Sequence, residues 1–404
     1  MIFIFYILAM MLIYFSYKSF RGGVDYLDYF KRELAKPASD FTPFATIIAP
    51  CKGLDEGLID NLAALLVQDY PKYEVIFVVD DDDDPATKVI EEISRKDAKY
   101  AKETRIVVAG KAVDSSQKVE NLREAVQHAS TESKVFVFVD SDARLAKGWL
   151  RSLVAPLEDE RVGAATGYRW FLSRNPTFAC EMRSVWNASI ASALGANTGS
   201  NFCWGGSMAT RRDTFERLDI REKWAGTLSD DFVVTRVMNN AKLPIYFVPQ
   251  ALTATNEDCS FSKLLEFTTR QMKITRVYAS KLWLLSFFGS GLFNVVMICS
   301  VLIVIFRAVG GIEFWVALIT LFVVGGFSVA KSTLRLNAVG LVLDDHRVEL
   351  RRQYWTHNTL AFLTPALFLY NCVASAFSRT FTWRGITYKL TAADKTEIIT
   401  VVKR

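Results

Sequence analysis

The chain has 404 residues, a net charge of +5 and 51% hydrophobic residues, yet 23% of its residues are charged. This balance is too apolar for an ordinary soluble enzyme and indicates one soluble domain joined to membrane segments. Basic residues cluster beside apolar runs and no nucleic-acid motif occurs, which favours an anionic lipid surface over nucleic acid as a partner. Six scattered cysteines without a CxxC pair indicate a reduced, cytoplasmic domain without a zinc or disulfide framework.

The N-terminal residues 1–17 are uncharged and mostly apolar, and basic residues begin at Lys18. A cleavable signal peptide carries its positive charge before the apolar run, so we predict a retained transmembrane anchor. The basic residues that follow it place the next part of the chain in the cytoplasm. A polar linker containing Pro37 and Pro43 completes this region.

From residue 44 onward, short apolar runs alternate with segments of helical periodicity. Strands are predicted over 44–50, 73–79, 105–109, 135–139 and 162–171, and helices over 58–68, 86–99 and from Lys118 onward. Strands that alternate with helices predict an α/β fold with a doubly wound, mostly parallel sheet.

Two of the predicted strands end in carboxylates. The strand over 73–79 runs into five consecutive aspartates, and the strand over 135–139 runs into Asp140 and Asp142. In open α/β sheets, ligands bind outside the carboxyl ends of the strands. Two carboxylates one residue apart suit a hard cation such as Mg²⁺ or Mn²⁺ that carries a diphosphate. A solvated acidic turn stays open as an alternative for the five aspartates.

Three further places along the chain carry candidate site residues. Lys118, at the start of a helix, is a candidate phosphate contact or a surface charge. Gly205 and Gly206 allow a ligand to approach the backbone, although a tight turn explains them equally. Asp230 and Asp231 open a predicted helix, where acids also stabilise the helix dipole in any protein.

The C-terminal third of the chain is predicted to lie at or in a membrane. Basic and apolar residues interleave over 260–285, which predicts an amphipathic interfacial helix, with a solvated bundle helix as the alternative. Runs 283–306 and 312–330 are long enough to span, and 357–377 is a third apolar run. Three crossings would leave the C-terminus outside, whereas the basic residues from Arg379 onward favour the inside, so one run is a candidate re-entrant segment.

The order of these acidic motifs resembles that of the inverting nucleotide-sugar glycosyltransferases of family 2, and most closely the ceramide glucosyltransferases. The similarity extends over roughly residues 45–285 and rests on PCKGLDEGLIDNLAALLVQDYPKYEV, DDPA, KVENL, DSD, SDDF and RQMKITR. It implies a GT-A-type fold and the transfer of a sugar, glucose by the nearest likeness, from a UDP-sugar to the hydroxyl of a membrane lipid such as ceramide.

The resemblance also assigns roles to individual acids. The acids it points to are Asp80, Asp81 and Asp82 for uridine, Asp140 and Asp142 for Mg²⁺ or Mn²⁺, and Asp231 or its neighbour Asp230 for the catalytic base. Where the family has R/Q-x-x-R-W, the chain has Arg270, Lys273 and Ile274 at the equivalent positions. The tryptophan is missing, and a lysine replaces the arginine with its forked guanidinium. Binding of the donor diphosphate is the role that these changes affect, and Arg276 is a candidate to take it over.

By this reading the chain divides into six contiguous segments. They are the transmembrane anchor 1–17, the linker 18–43, the catalytic domain 44–257, the interfacial helix 258–282, the membrane segments 283–378 and the basic tail 379–404, in which residues 382–390 resemble a strand.

Other functions compete with this interpretation. A processive polysaccharide synthase would keep an intact QxxRW motif and carry more membrane spans. A receptor or transporter would not need acids at two strand ends, and its spans would carry polar residues. Two further alternatives stay open. One is the transfer of N-acetylglucosamine to a hopanoid or another lipid, and the other is galactose as the transferred sugar.

Overall fold

The computed structural model describes residues 2–97, 101, 103–307 and 309–401. The outermost residues of the predicted anchor (1), of the helix over 86–99 (98 and 99) and of the tail (402–404) lie outside this described part. The helices and strands, in chain order, are α1 Ile2–Leu34, β1 Ala45–Pro50, α2 Leu58–Leu66, β2 Tyr73–Val79, α3 Pro85–Asp97, β3 Glu103–Val108, α4 Gln117–Ala125, β4 Val135–Val139, α5 Trp149–Val154, β5 Ala164–Thr166, β6 Arg169–Leu172, α6 Phe178–Ala191, β7 Ser207–Arg211, α7 Arg212–Arg217, α8 Ile220–Lys223, α9 Asp230–Asn240, β8 Ile245–Phe247, β9 Thr253–Asn256, α10 Phe261–Tyr278, α11 Ser280–Phe306, α12 Ile312–Gly340, α13 Arg347–Leu360, α14 Thr364–Phe377, β10 Thr380–Trp383, β11 Ile386–Ala392 and β12 Lys395–Val401.

The chain forms two compact units, and each is assembled from separated stretches. The sheet unit comprises residues 32–174, 193–257 and 379–404, and the helical unit comprises residues 1–31, 175–192 and 258–378. The division predicted from the sequence is contiguous and therefore differs from this one. Residues 175–192 join the helical unit because α6 packs there: the Trp186 ring stacks on Phe368 of α14 at 5.1 Å between centroids.

A seven-stranded sheet in the order β3-β2-β1-β4-β7-β5-β8 forms the centre of the sheet unit. The first four strands in that order are parallel to one another, whereas β7 runs antiparallel to both of its neighbours. This mostly parallel sheet, with helices between its strands, confirms the predicted α/β class.

The inner strands are mainly apolar because both of their faces are covered. Every residue of β2 and of β4 is buried. One face packs its odd-numbered side chains against α2, α3 and α5. On the other face, the Phe136 and Phe138 rings contact Phe215 and Trp224 edge to face.

The strand order decides where the acidic strand ends lie. Because β1 lies between β2 and β4, the carboxyl ends of β2 and β4 are two strand spacings apart, about 10 Å, at one edge of the sheet. Asp80 and Asp140 directly follow these two strands. The sheet therefore brings the two acidic segments to one crevice.

The predicted strand over 162–171 is instead two short strands, β5 and β6, which belong to different sheets. The break is at Gly167, where the backbone passes so close to its neighbours that a Cβ atom would lie 2.0 Å from the carbonyl oxygen of Ala251. Beyond it, β6 pairs with β9 in a two-stranded sheet. The interruption thus results from contacts with residues distant in sequence.

In the helical unit, α1, α11 and α12 are long and apolar enough to cross a membrane, as counted over the described residues. Each continues beyond the apolar run that predicted it. Apolar side chains of the three helices pack together in a common cluster that includes Leu12, Val296 and Val324. Within the predicted amphipathic stretch over 260–285, residues 261–278 form α10, which Ser260 caps, and residues 280–285 already belong to α11.

The third apolar run, 357–377, is not a straight helix. Residues 344–360 and 364–377 form two helices that meet at an angle of 70°. After them, β10, β11 and β12 form a three-stranded antiparallel sheet within the sheet unit. There the backbone N–H of Gln117 donates to the hydroxyl of Tyr388 at 3.2 Å.

Candidate active site

The carboxylates of Asp140 and Asp142 share one cation, the guanidinium of Arg169. One nitrogen of that group lies 2.8 Å from Asp140 Oδ2, and the other lies 3.3 Å from Asp142 Oδ2. The guanidinium also stacks over the Trp204 ring, 4.8 Å from its centroid. A planar fork of this kind can hold two acceptors in fixed positions.

A second cation, Lys118, joins the strand-end acid to the helix that begins at Asp230. Its ammonium lies 2.8 Å from Asp140 Oδ1 and 3.1 Å from Asp230 Oδ1. Lys118 is set in place by α4, whose first turn is capped by the Ser116 hydroxyl. We call Lys118, Asp140, Asp142, Arg169 and Asp230 the central cluster.

The three acids of the central cluster have different pKa values. Burial raises the pKa of Asp140, but the positive charges of Lys118 and Arg169 lower it by more than burial raises it. The pKa of Asp140 therefore lies below its ordinary value. Burial and repulsion from Asp140 raise the pKa of Asp142, although Arg169 opposes them. Burial, assisted by repulsion from neighbouring carboxylates, raises the pKa of Asp230 to about 6. Asp140 is therefore the most firmly charged of these three acids.

The donor set at the end of β4 suits a hard divalent cation. Asp142 Oδ1 is buried and accepts no hydrogen bond from any described residue. The described residues contain no group of three or more His, Cys, Asp or Glu side chains placed around one metal position. Mg²⁺ is commonly held by one or two carboxylates together with water and substrate phosphates. Asp140 and Asp142 therefore fit a metal that is bound together with a diphosphate.

Asp230 and Asp231 have different surroundings at the start of α9. Asp230 is buried and points to Lys118, and its Oδ2 accepts no hydrogen bond from the described residues. Asp231 is half-buried and accepts hydrogen bonds from the Ser229 hydroxyl and from the backbone N–H of Gly205. Ser229 occupies the cap position but forms no side-chain cap to the helix backbone.

The glycine pair next to the cluster gives the acids room. A Cβ atom on Gly205 would lie 2.2 Å from Asp230 Oδ2 and 2.8 Å from Lys118 Nζ. A Cβ atom on Gly206 would lie 2.7 Å from Asp140 Oδ2. The two glycines thus leave room for neighbouring side chains, and the approach of a ligand to their backbone stays a prediction.

Asp80, Asp81 and Asp82 occupy three different environments after β2. Asp80 is buried and pairs with Lys52 and, at 3.2 Å, with Lys111, while its Oδ1 has no partner among the described residues. A hydrogen bond from Lys111 lowers the pKa of Asp81. Asp82 is exposed. Of the three, Asp80 is the one that lies in the interior of the crevice.

Sequence reasoning missed two arginines of this region, Arg169 and Arg384. Arg384 lies in the turn between β10 and β11 with a left-handed φ of 48°. Its guanidinium donates to the Lys52 carbonyl oxygen at 2.6 Å and to Asp55 Oδ2 at 2.7 Å. The Arg-Gly pair is a recognisable turn signal, but nothing local in the sequence connects either arginine with the acids.

The basic residues of the altered R/Q-x-x-R-W motif lie on α10 in the helical unit. Arg276 donates hydrogen bonds to the carbonyl oxygens of Ser375 at 2.7 Å and Ala376 at 2.8 Å. These carbonyl groups lie in the last turn of α14, where the helix itself provides no donors. The Arg270 guanidinium lies 5.6 Å from the centre of the Phe267 ring. Burial lowers the pKa of Lys273. Arg276 thus has a structural role that the sequence did not predict.

The Gly205→Ala substitution is expected to disturb the central cluster. The added methyl group has no space, so the free energy of unfolding should fall by about 1–3 kcal/mol, the usual cost of overpacking. Gly195→Ala is the matched control, because a Cβ atom there meets nothing within 4 Å. Thermal denaturation of both variants in detergent would measure the difference. Equal melting temperatures would contradict the described packing at Gly205.

Comparisons with known proteins agree with the resemblance seen in the sequence. A ceramide glucosyltransferase of Gibberella zeae is 33% identical over 165 residues, which cover 36% of this chain and 31% of that protein. The chain thus spans about a third of the length of this curated relative.

Two solved structures are similar at low scores. The mannosyltransferase PcManGT of Pyrobaculum calidifontis, in complex with GDP-Man and Mn²⁺, has a TM-score of 0.45 and 17% identity over 92% of this chain and 98% of its own. GalNAc-T7 with UDP, GalNAc and Mn²⁺ has a TM-score of 0.40 and 14% identity over 55% of this chain and 44% of its own. A family model described as Glycosyl transferase family 21 matches residues 3–396. The chain belongs to glycosyltransferase family 21, and its resemblance to ceramide glucosyltransferases is confirmed.

Proposed function

We propose that this chain is a membrane-bound inverting glycosyltransferase that moves a sugar from a UDP-sugar to the hydroxyl of a membrane lipid. Glucose and ceramide are the sugar and the acceptor that its nearest resemblance favours. The observation that carries the proposal is the central cluster, in which Lys118 joins an acid at the end of β4 to an acid at the start of α9. Membership of a glycosyltransferase family supports it.

The donor is proposed to lie along the carboxyl edge of the sheet. Asp80 Oδ1, which is buried without a partner among the described residues, suits a hydrogen bond from the nucleoside. Asp140 and Asp142 would hold Mg²⁺ or Mn²⁺. That ion, when bound, supplies positive charge to the departing diphosphate.

Because the R/Q-x-x-R-W motif is altered, other cationic residues would bind the diphosphate. Arg384 is a candidate because its guanidinium lies next to Asp55 and the Lys52 carbonyl, in the loop that follows β1. Arg270 and Lys273 remain candidates from α10. The capping contacts of Arg276 make it a weaker substitute than the sequence predicted.

Asp231 is proposed as the base that takes the proton from the acceptor hydroxyl. Asp230 is buried and engaged with Lys118, so an acceptor has little access to it. Asp231 is half-buried, and its carboxylate is oriented by Ser229 and the Gly205 backbone. A held, accessible carboxylate meets the geometric requirement for general base catalysis. Asp230 would then act by positioning Lys118.

The membrane layout supports a lipid acceptor. The tail folds into the same compact unit as the catalytic sheet, so an even number of crossings must separate residues 257 and 379. Helices α11 and α12 provide two crossings. The bent pair that ends in α14 would then enter and leave on one side. The basic residues after the anchor favour the cytoplasm as that side.

Transfer to lipid is the experiment that tests this function. Purified protein in lipid nanodiscs should convert ceramide to a glycosylated product when UDP-glucose is supplied, as measured by mass spectrometry of the extracted lipid. UDP-N-acetylglucosamine and UDP-galactose in parallel reactions identify the sugar. Transfer to a free oligosaccharide that grows into a polymer, and that does not respond to added ceramide, would instead support a processive synthase.

Metal dependence should follow from the two carboxylates after β4. Asp142→Asn is expected to abolish turnover and to weaken donor binding in Mn²⁺, because the diphosphate charge loses a metal ligand. Asp159→Asn removes an exposed carboxylate that pairs with Arg161, and it serves as the control. Titration calorimetry with UDP and Mn²⁺ would measure the binding. Undiminished wild-type activity in EDTA would refute the metal role.

The two acids of α9 should differ in kinetic effect. Asp231→Asn is expected to lower kcat by roughly 10² or more, the usual contribution of a general base, with little change in donor affinity. Rates and donor dissociation constants would be compared with those of Asp230→Asn. If only Asp230→Asn shows the loss of kcat at unchanged donor affinity, the roles are reversed. If neither variant does, both acids serve only the helix terminus.

A further inference from the structure

The helical unit contains a cavity of about 390 Å³, and all of its lining residues belong to that unit. It is bounded by α1, α6, α11, α12 and the start of α14. Its lining is mixed: aromatic and aliphatic side chains, several serines and two basic residues. The residues used below are Leu12, Ser19, Phe293, Phe327, Lys331 and Arg335.

The two cations of the cavity, Lys331 and Arg335, lie one helical turn apart on α12. Lys331 is half-buried and donates to the Ser19 hydroxyl at 2.9 Å. Arg335 is 4% exposed, and its Nε has no hydrogen-bond partner in the described part of the chain. Neither side chain forms an ion pair with a carboxylate of the described residues. Two such charges in a membrane helix are costly unless an anion compensates them.

The depth of these cations matches that of a lipid head group. Lys331 follows the first residue of α12 by 19 positions, or about 28 Å at 1.5 Å per residue, which is close to the full thickness of the hydrocarbon core. On α1, Ser19 follows the apolar Leu12 by two turns and bonds to Lys331. The polar lining therefore lies at the boundary of the bilayer, while Leu12 and Phe293 extend the cavity towards the hydrocarbon.

We propose that this cavity binds the phosphate-bearing head group of an anionic membrane phospholipid. Arginine and lysine together supply the donors and the charge that a phosphate diester requires, and the Ser19 hydroxyl is a further polar group beside them. The apolar lining at Leu12, Phe293 and Phe327 suits the adjoining part of an acyl chain. A neutral lipid such as ceramide would leave both charges uncompensated, so this site differs in chemistry from one for the proposed acceptor.

The inference rests on the proposed membrane location of α1, α11 and α12, but it does not depend on the transfer reaction. Its test is therefore a binding measurement without any sugar donor. Failure of the glycosyltransferase assay would leave that measurement unaffected, and the reverse also holds.

The experiment compares lipids retained by the purified full-length chain. After exchange into detergent containing equal amounts of phosphatidylglycerol and phosphatidylcholine, native mass spectrometry is expected to show at least tenfold more bound phosphatidylglycerol. The variant Lys331→Gln/Arg335→Gln should lose this preference. The matched variant Lys18→Gln/Lys281→Gln removes two exposed cations from the same unit and should keep it. Arg335→Lys retains the charge and should bind phosphatidylglycerol with an intermediate preference.

Several results would overturn the proposal. Equal retention of the two lipids by the wild-type chain would do so even if the double variant did not fold. The same loss of preference in Lys18→Gln/Lys281→Gln would assign the effect to general surface charge. In a melting assay, inorganic phosphate should not stabilise the wild type, whereas phosphatidylglycerol should. Equal stabilisation by both would show that the site takes free phosphate and not a lipid.

Discussion

The half-buried ammonium of Lys118 is the group on which the arrangement of the site depends. It lies between carboxylates from β4 and α9, which are far apart in the chain. At an effective dielectric constant of 20, unit charges 4 Å apart attract by about 4 kcal/mol, so removal of the cation would leave Asp140 and Asp230 to repel each other. The parallel sheet fixes one carboxylate, the helix start fixes the other, and the missing side chain of Gly205 lets the backbone pass close to Asp230 and Lys118. Fold and site are therefore specified by the same contacts.

The sequence predicted those parts of the fold that are encoded locally. Strands β2 and β4 were predicted with their observed bounds, because a short and mainly apolar run is typical of a strand buried on both faces. The break at Gly167 was not predicted, since it depends on the Ala251 carbonyl, which is remote in sequence. For the site, the acids were found because each follows a strand or opens a helix. Their counter-charges were harder to find: Lys118 was a candidate phosphate contact or surface charge, and its ion pairs with Asp140 and Asp230 were not predicted. The phosphate contact stays a prediction.

The altered R/Q-x-x-R-W motif illustrates how a basic residue can have a structural task besides the one its position suggests. Arg276 binds the carbonyl oxygens at the end of α14, and its guanidinium lies 5.6 Å from the Trp283 ring centroid. These contacts tie α10 to two neighbouring helices of the helical unit. A lysine or an arginine on an amphipathic helix can serve a ligand or the packing of helices, and only the three-dimensional contacts distinguish the two uses.

The C-terminal strands have a consequence for biogenesis. Because β10, β11 and β12 belong to the same compact unit as the central sheet, the segment that follows α14 supplies Tyr388 and Arg384 to a unit that begins near residue 32. Domains generally fold as units, the N-terminal parts first, while the ribosome is still at work. Here the sheet unit stays without β10, β11 and β12 until the intervening helices α10 to α14 have been synthesised. A ribosome that stalls before residue 379 would therefore leave the sheet unit without these three strands.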